Sequence, residues 1–331
     1  MHLKKRWVDR RVYEYFAVNV APFLGWRDPI LVYQMGKVGS SSIRNSLFRR
    51  PHATTRLVLM SHEFLPVRDR DPESLDVDPG DLDDVLREIA HERRVFRRFS
   101  LRQRLGWRLR ERLYAERIYR AYVQPGRPLR VITLVREPVA HNISMFFQLR
   151  SHYIKDPATR AAWDMDEHIA IFLERYMHSR PLTWFDSEFR PMLGVDVYCQ
   201  PFSYDRGYAR ISRGPVDVLV LRCELDDDAK ARAIGDFLGL ERFEIVRSNV
   251  TEQKSYGRQY AEFKRRISVP GALLEKLYES KYARHFYSEE ERAKLRVRWG
   301  ADDTRTLPNR TLAQEERDLD REVGGVESPP V

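Results

Sequence analysis

A lysine, two glycines and three consecutive serines follow a short apolar segment near the start of the chain. The segment is ILVYQM at residues 30–35, and the residues of interest after it are Gly36, Lys37, Gly39, Ser40, Ser41 and Ser42. Glycine lets a backbone approach an oxyanion closely because no side chain intervenes. Turn N–H groups, serine hydroxyls and the start of a helix together bind phosphate or sulfate. These residues are therefore a candidate anion-binding loop, in which Lys37 supplies a positive charge.

The order of these residues differs from that of a nucleotide-triphosphate loop. The nucleotide loop reads G-x-x-x-x-G-K-[ST], with its lysine after the second glycine, whereas Lys37 precedes Gly39. No clear carboxylate for Mg²⁺ follows a later strand. The pattern indicates an anion site that works without a metal. The alternative is a Gly/Ser turn that only caps a helix.

A second candidate anion motif is REPVAHNISMFF at residues 136–147, directly after the apolar segment 129–135. The planar guanidinium of Arg136 suits a fixed terminal phosphate. If a helix begins near Pro138, Ser144 lies about two turns into it and could face the same pocket as Arg136. The alternative is a surface pair between Arg136 and Glu137, with Ser144 as an ordinary helical residue.

Apolar segments alternating with helical patterns must position these motifs. Such alternation predicts an α/β fold with a P-loop-like, mostly parallel sheet flanked by helices. Ligands bind such sheets beyond the carboxyl ends of the strands, where both motifs lie. The predicted strands are residues 30–35, 56–61, 129–135, 216–222 and a short one at Val195–Tyr198. The predicted helices begin near Ser42 and cover residues 86–122, 138–150, 166–178, 229–238, 257–282 and 288–297.

An insertion at residues 66–127 separates the second and third strands. Its first part, residues 66–84, is acidic and predicts a loop, and its second part is mostly helical. Between Arg87 and Arg120 there are twelve arginines against four acidic residues. This basic region could line a groove for an acidic glycan or contact anionic lipid; the alternative is a solvated helix face with i, i+4 ion pairs.

The net charge of +9 and the pI of about 9.5 favour an anionic partner, although no nucleic-acid-binding module is recognisable. Only Cys199 and Cys223 are present, so a reducing, cytoplasmic setting is expected. The basic, aromatic segment 1–29 predicts a helix packed on the domain, or peripheral contact with an anionic membrane. Its apolar part is too short to span a bilayer. We expect one main domain at residues 30–300 and a disordered tail at 301–331.

Together these motifs resemble the sulfotransferase superfamily, whose members use 3′-phosphoadenosine 5′-phosphosulfate as the donor. QMGKVGSSSI resembles the family's 5′-phosphosulfate loop, and REPVAHNISMFF resembles its 3′-phosphate motif. VLVLRCELDDDAKARAIGDFLGLE resembles the family's late strand, acidic turn and helix. WFDSEFRPMLGVDVY is similar to a bacterial branch labelled as capsular polysaccharide synthesis proteins.

The resemblance implies a role for each residue. Lys37 would stabilise the bridging oxygen, and the loop with its serines would hold the 5′-phosphate. Arg136 and Ser144 would hold the 3′-phosphate. TRLVLMSHEFLP resembles the segment with the family's catalytic base, which places that base at His62. The acceptor would be a hydroxyl, with a carbohydrate favoured, and no metal is needed.

The chain also departs from the family pattern. Cys223 replaces a frequent tyrosine before the acidic turn, and the C-terminal phosphate clamp has no clean copy. NVTEQKSYGR offers Lys254 and Arg258 as substitutes for the clamp. Alternative bases are Glu63, Asp186 and Glu188. Two rival functions stay open, a P-loop kinase or NTPase and a non-catalytic polyanion-binding protein.

Overall fold

The protein is an α/β structure with a five-stranded sheet flanked by helices. The computed structural model describes residues 13, 15–22, 29–49, 57–62, 64, 79–97, 113–154, 157–246 and 255–300. The strands are β1 (Ile30–Tyr33), β2 (Val58–Ser61), β3 (Leu129–Val135), β4 (Tyr208–Arg213) and β5 (Val216–Arg222). The predicted tail at 301–331, and residues 66–78 and 98–112 of the predicted insertion, lie outside the described residues.

Helices lie between the strands along the chain and follow the last strand. Two five-residue π-helical turns, Tyr119–Val123 and Phe185–Phe189, directly follow the α-helices Leu113–Ile118 and Arg180–Trp184. The α-helices in the described residues are α1 (Ser40–Arg49), α2 (Pro79–Arg97), α3 (Leu113–Ile118), α4 (Pro138–Tyr153), α5 (Pro157–Ala162), α6 (Met165–Arg175), α7 (Arg180–Trp184), α8 (Arg190–Leu193), α9 (Asp227–Leu238), α10 (Gly257–Arg266), α11 (Gly271–Tyr278), α12 (Lys281–Phe286) and α13 (Glu289–Trp299).

The strand order is β2-β1-β3-β5-β4, and all neighbours are parallel except the β4–β5 pair. The chain leaves β1 toward β2 at one edge and then returns to place β3 on the other side of β1. This reversal puts a crevice between the carboxyl ends of β1 and β3, where ligands of doubly wound sheets bind. The mostly parallel sheet predicted from the apolar segments is confirmed.

Burial explains which strands the sequence reveals. All four residues of β1 are buried, and six of the seven residues of β3 are. Strands covered on both faces form continuous apolar runs. By contrast β4, with the sequence YARISR, buries only Ile211 and lies at the sheet edge. Its polar composition gave no strand signal, and the sequence prediction missed it.

Three sequence predictions of secondary structure are wrong. Residues Val195–Tyr198 form a turn, because the Asp196 carboxylate accepts the Tyr198 backbone N–H at 2.8 Å. The predicted loop at 66–84 gives way to α2 at Pro79, a residue suited to the first helical position. The helical region predicted at 257–282 is broken twice, between Arg266 and Gly271, where Pro270 cannot continue a helix, and between Tyr278 and Lys281.

The N-terminal apolar segment packs on the domain in its described part. Ala17 and Ala21 are fully buried, and the Tyr122 hydroxyl donates to the Ala17 carbonyl at 2.6 Å. Within the described residues, no helix is both long enough and apolar enough to cross a membrane. The packed helix was predicted for residues 3–16, of which 3–12 and 14 lie outside the described residues, so that interpretation stays a prediction.

Candidate functional site

The loop between β1 and α1 has a conformation that its residues determine. Gly36, Lys37 and Gly39 all have positive φ angles, of 88°, 56° and 84°. Glycine adopts such angles without strain, whereas a lysine does so at a cost of about 1–2 kcal/mol. Helix α1 begins at the next residue, Ser40. The loop therefore enters a helix N-terminus through a tight turn, and anion binding there stays a prediction.

Two residues from the second motif support this loop. The Arg136 guanidinium donates from Nη1 to the Lys37 carbonyl at 2.8 Å, across 99 residues of sequence. The His141 ring lies with Nε2 3.2 Å from the Gly36 carbonyl, and Nε2 carries the proton because a carbonyl only accepts. The Cε of Met145 is 3.2 Å from where a Cβ on Gly36 would lie. The two predicted anion motifs are thus in direct contact.

The His141 ring is uncharged in this position. Burial lowers the pKa of His141 to about 3, and the nearby charges of Arg136 and Arg180 act in the same direction. A neutral ring can donate to Gly36 without placing a second positive charge beneath the loop. The positive charge at this point of the site is therefore that of Arg136.

Arg136 is fixed by the C-terminal helices. The Tyr282 hydroxyl of α12 is 2.9 Å from both the backbone N and the backbone O of Arg136. Burial opposes the guanidinium charge, but nearby acidic groups, including the carboxylates of Glu224 and Glu137, outweigh it, so the pKa of Arg136 lies above its ordinary value. Arg136 is a permanent cation held at the crevice between β1 and β3.

The residue after Arg136 caps helix α4 rather than forming the surface pair considered above. The buried Glu137 carboxylate accepts the backbone N–H groups of Val139 and Ala140, both at 2.8 Å. The Tyr278 hydroxyl donates to the same carboxylate. Burial raises the pKa of Glu137, although these hydrogen bonds partly offset the effect. Glu137 therefore orients α4 and leaves the Arg136 guanidinium to the loop.

Gln34 connects the loop, the helix start and His62. Its Oε1 accepts the Gly36 N–H at 2.7 Å, while its Nε2 is 2.7 Å from Ser40 Oγ. The same Nε2 is 2.8 Å from Nδ1 of His62, which is exposed at the end of β2. Loop and candidate base are therefore joined by one side chain. Gln34 was not predicted from the sequence, although a single glutamine within the apolar segment ILVYQM is a signal for such a role.

Glu188 holds the segment that carries His62. Its Oε1 accepts the Phe64 backbone N–H at 2.5 Å and the Tyr33 hydroxyl. The Trp184 indole also donates to the His62 carbonyl at 3.3 Å. Glu188 is fully buried and lies in the second π-helical turn. These contacts show that Glu188 holds the segment, while its role as an alternative base stays a prediction.

The other candidate bases have different positions. Asp186 is buried and pairs with Lys281 at 3.0 Å and with Arg190 at 3.8 Å. Burial raises the pKa of Asp186, and these two cations partly offset the rise. Glu63 lies outside the described residues. His62 is the candidate that the structure joins to the loop.

The remaining residues predicted to bind the donor lie on helices α1, α4 and α10, except for Lys254. Ser144 is buried on α4 between the His141 and Met145 positions that contact Gly36. Ser41 and Ser42 are half-buried in the first turn of α1. Arg258 is exposed in the first turn of α10, which packs on α4 through rings that include Tyr260. Lys254 lies outside the described residues. The donor-binding roles of these residues stay predictions.

Cys223 lies beneath the loop from the side of β5. Its Sγ is 3.6 Å from where a Cβ on Gly39 would lie, and its backbone N–H donates to the Val135 carbonyl at 2.7 Å. Burial raises the pKa of the Cys223 thiol, although Arg136 partly opposes this, so the thiol is uncharged. Among the described residues, no group of three or more His, Cys, Asp or Glu side chains could hold a metal ion.

Comparison with known proteins gives one match. A family model described as "Putative capsular polysaccharide synthesis protein" (NKWYS) matches residues 162–288. The matched segment includes WFDSEFRPMLGVDVY and therefore Glu188, as well as Tyr278 and Tyr282, which hold the ends of β1, β2 and β3. No curated protein and no solved structure matches the chain.

Proposed function

We propose that this protein is a sulfotransferase that moves a sulfuryl group from 3′-phosphoadenosine 5′-phosphosulfate to a hydroxyl of a carbohydrate or polysaccharide. The observation that supports this most is the 2.8 Å hydrogen bond between Arg136 and the Lys37 carbonyl. It joins two anion-binding motifs, each from a different strand, at the crevice where the sheet reverses. A donor with phosphates at both its 3′ and 5′ positions needs two such groups of ligands close together.

The residues present fit this donor. Gly36 and Gly39 leave the loop backbone open where side chains would collide or strain the turn. The N–H groups that begin α1 and the hydroxyls of the serines would hold the 5′-phosphate. Arg136, with Ser144 on the neighbouring helix, would hold the 3′-phosphate. The remaining donor contacts would come from the segment of Lys254 and Arg258.

The chain's own contribution is position and charge. Sulfuryl transfer breaks the bond between sulfur and the phosphate oxygen and forms one between sulfur and the acceptor oxygen. Lys37 would stabilise the negative charge that develops on the leaving phosphate. His62, whose Nδ1 lies 3.1 Å from the Gln34 main-chain carbonyl, would take the proton from the acceptor hydroxyl through Nε2 when Nδ1–H donates to that carbonyl. In-line geometry then depends on the distance between β1 and β2, which the sheet fixes.

The choice of a carbohydrate acceptor rests on the family similarity. The matched model is described as a capsular polysaccharide synthesis protein, which suggests a role in polysaccharide biosynthesis. The net charge of +9 is compatible with an acidic glycan. Peripheral contact with an anionic membrane would fit the same charge.

The test is calorimetric binding of 3′,5′-adenosine bisphosphate, the desulfated donor, without metal. We expect the wild type to bind, Lys37→Ala to bind less tightly, and Arg136→Ala to lose about 10–100-fold in affinity, because a charge-assisted pair contributes about 1.5–3 kcal/mol. Arg136→Lys should recover only part of this, since lysine lacks the fork. Arg130→Ala is the matched control, because Arg130 lies near the opposite end of β3.

Three outcomes would contradict the proposal. Absence of binding, together with binding of ATP plus Mg²⁺, would favour a P-loop kinase or NTPase. Polyanion binding with a steep salt dependence and without bisphosphate binding would favour a non-catalytic protein. Equal losses from Arg130→Ala and Arg136→Ala would show that net charge, rather than the crevice, controls affinity.

A further inference from the structure

The Gln34 side chain has a defined orientation. An amide's oxygen and nitrogen are nearly indistinguishable by shape, so their assignment must come from the hydrogen-bond partners. The Gly36 backbone N–H can only donate, and it lies 2.7 Å from Oε1. Oε1 must therefore face Gly36, and the NH₂ group must face Ser40 Oγ and His62 Nδ1 at 2.7 and 2.8 Å. Both amide protons then have an acceptor.

This orientation limits the protonation of His62. If Nδ1 carried a proton, it would face the amide NH₂ of Gln34, and two donors would oppose each other at 2.8 Å. Nδ1 therefore accepts from the side chain, and the ring proton is on Nε2. The main-chain carbonyl of Gln34 offers the opposite interaction, because it is 3.1 Å from the same Nδ1 and would accept a proton from it.

The two interactions leave Nε2 of the ring either protonated, as a hydrogen-bond donor, or unprotonated, as a base. When Nδ1 accepts from the amide, Nε2–H can only donate a hydrogen bond to a bound anion. When Nδ1–H donates to the Gln34 carbonyl, Nε2 has a lone pair and can take a proton from an acceptor hydroxyl. In both cases Gln34 occupies Nδ1, so Nε2 is the atom that is directed away from the loop strand.

We propose that Gln34 is a positioning residue that selects the tautomer of His62: its side-chain amide holds the Nε2–H form, and its main-chain carbonyl holds the form that can act as a base. The geometric basis is the trio of contacts from one buried amide to Gly36, Ser40 and His62. Because Ser40 begins the helix that would cradle the anion, the amide also couples the state of the loop to the state of the ring. This proposal rests on the proposed function only for the use made of the ring.

The experiment measures the tautomer directly. Full-length protein is labelled with ¹⁵N-histidine, and ring nitrogens are observed by long-range proton–nitrogen correlation. His62 is assigned as the ring whose signals disappear in His62→Asn, among nine histidines. We expect unprotonated Nδ1 and protonated Nε2 in the wild type. Gln34→Met removes the side-chain donor at similar length, so the ring should change to the Nδ1–H form held by the carbonyl.

A second variant covers the case in which Gln34→Met does not fold. Gln34→Glu keeps the shape and the acceptor for Gly36, but it cannot donate to Nδ1, so the same change in tautomer is expected. Retention of the Nε2–H form in both variants, or an Nδ1–H form already in the wild type, would overturn the proposal. The measurement needs no donor or acceptor substrate. Its failure therefore leaves the sulfotransferase proposal standing, and absence of bisphosphate binding leaves the tautomer result standing.

Discussion

Glu188 offers a test of how the site is held together. Its buried carboxylate accepts from the Tyr33 hydroxyl at the end of β1 and from the Phe64 N–H beyond β2. Tyr33 is fully buried and Phe64 is 6% exposed, so neither donor can turn to water after Glu188→Ala. The substitution should therefore destabilise the fold and loosen the segment that carries His62.

The magnitude follows from the two donors. Each buried donor left without a partner costs about 1–3 kcal/mol, so the pair gives a loss of roughly 2–6 kcal/mol in the free energy of unfolding. Removing the carboxylate also removes the cost of burying its charge, which makes the loss of stability smaller. The cavity left by alanine makes the loss larger. Glu188→Gln keeps the Oε1 acceptor in nearly the same shape. We expect it to lose only about 1–2 kcal/mol, because its hydrogen bonds are no longer charge-assisted.

Urea denaturation measures both losses, provided that the m-value is unchanged between variants. Glu174→Ala is the control, because Glu174 is an exposed residue of α6, where substitutions usually change stability by less than about 0.5 kcal/mol. A Glu188→Ala protein as stable as the control would refute the conclusion that Glu188 holds Tyr33 and Phe64 in place. If that stable protein also lost turnover, Glu188 would return as a candidate base.

Further predictions concern the loop and the buried histidines. Gly36→Ala should weaken bisphosphate binding and destabilise the protein by about 1–2 kcal/mol, because φ is +88° and the new Cβ would meet Met145. Gly126→Ala is the control, since φ is +63° and the space around Gly126 is open. It should lower the stability in denaturation by a similar amount without weakening bisphosphate binding. Burial lowers the pKa of His141 to about 3 and that of His178 to about 4, so the unfolded chain binds protons that the native state does not. Stability should therefore be full above about pH 6.5 and fall as the pH drops toward 4, by about 1.4 kcal/mol per pH unit for each histidine. His141→Asn should make urea midpoints less dependent on pH, and an unchanged slope would contradict the assignment of a neutral ring.

The sequence revealed the elements whose signals are local. β1, β3 and β5 are continuous apolar segments because both sheet faces are covered, and such segments need no knowledge of partners. The glycines, Lys37 and serines likewise predict a loop from their own chemistry. The prediction failed where the sequence was polar, as in the edge strand β4, and where a side chain stabilised a turn, as Asp196 does.

The roles of the two buried acidic residues Asp186 and Glu188 were harder to recognise, for a different reason. Glu188 and Asp186 look alike in sequence, as acidic residues two positions apart, and both were candidates for the base. Their partners, Tyr33 for one and Lys281 for the other, lie 155 and 95 residues away. Only those partners distinguish a structural carboxylate from one that could transfer a proton.

By itself, then, the sequence determined the α/β fold and predicted two anion-binding segments, because apolar periodicity, glycine freedom and arginine geometry are properties of short stretches. The tertiary structure alone decided that the two segments meet. Strand order β2-β1-β3 brings Arg136 to the Lys37 carbonyl across 99 residues and His62 to Gln34 across 28. The reason is that hydrogen-bonded strands lie about 4.8 Å apart, so residues at their carboxyl ends become neighbours whatever their separation in sequence.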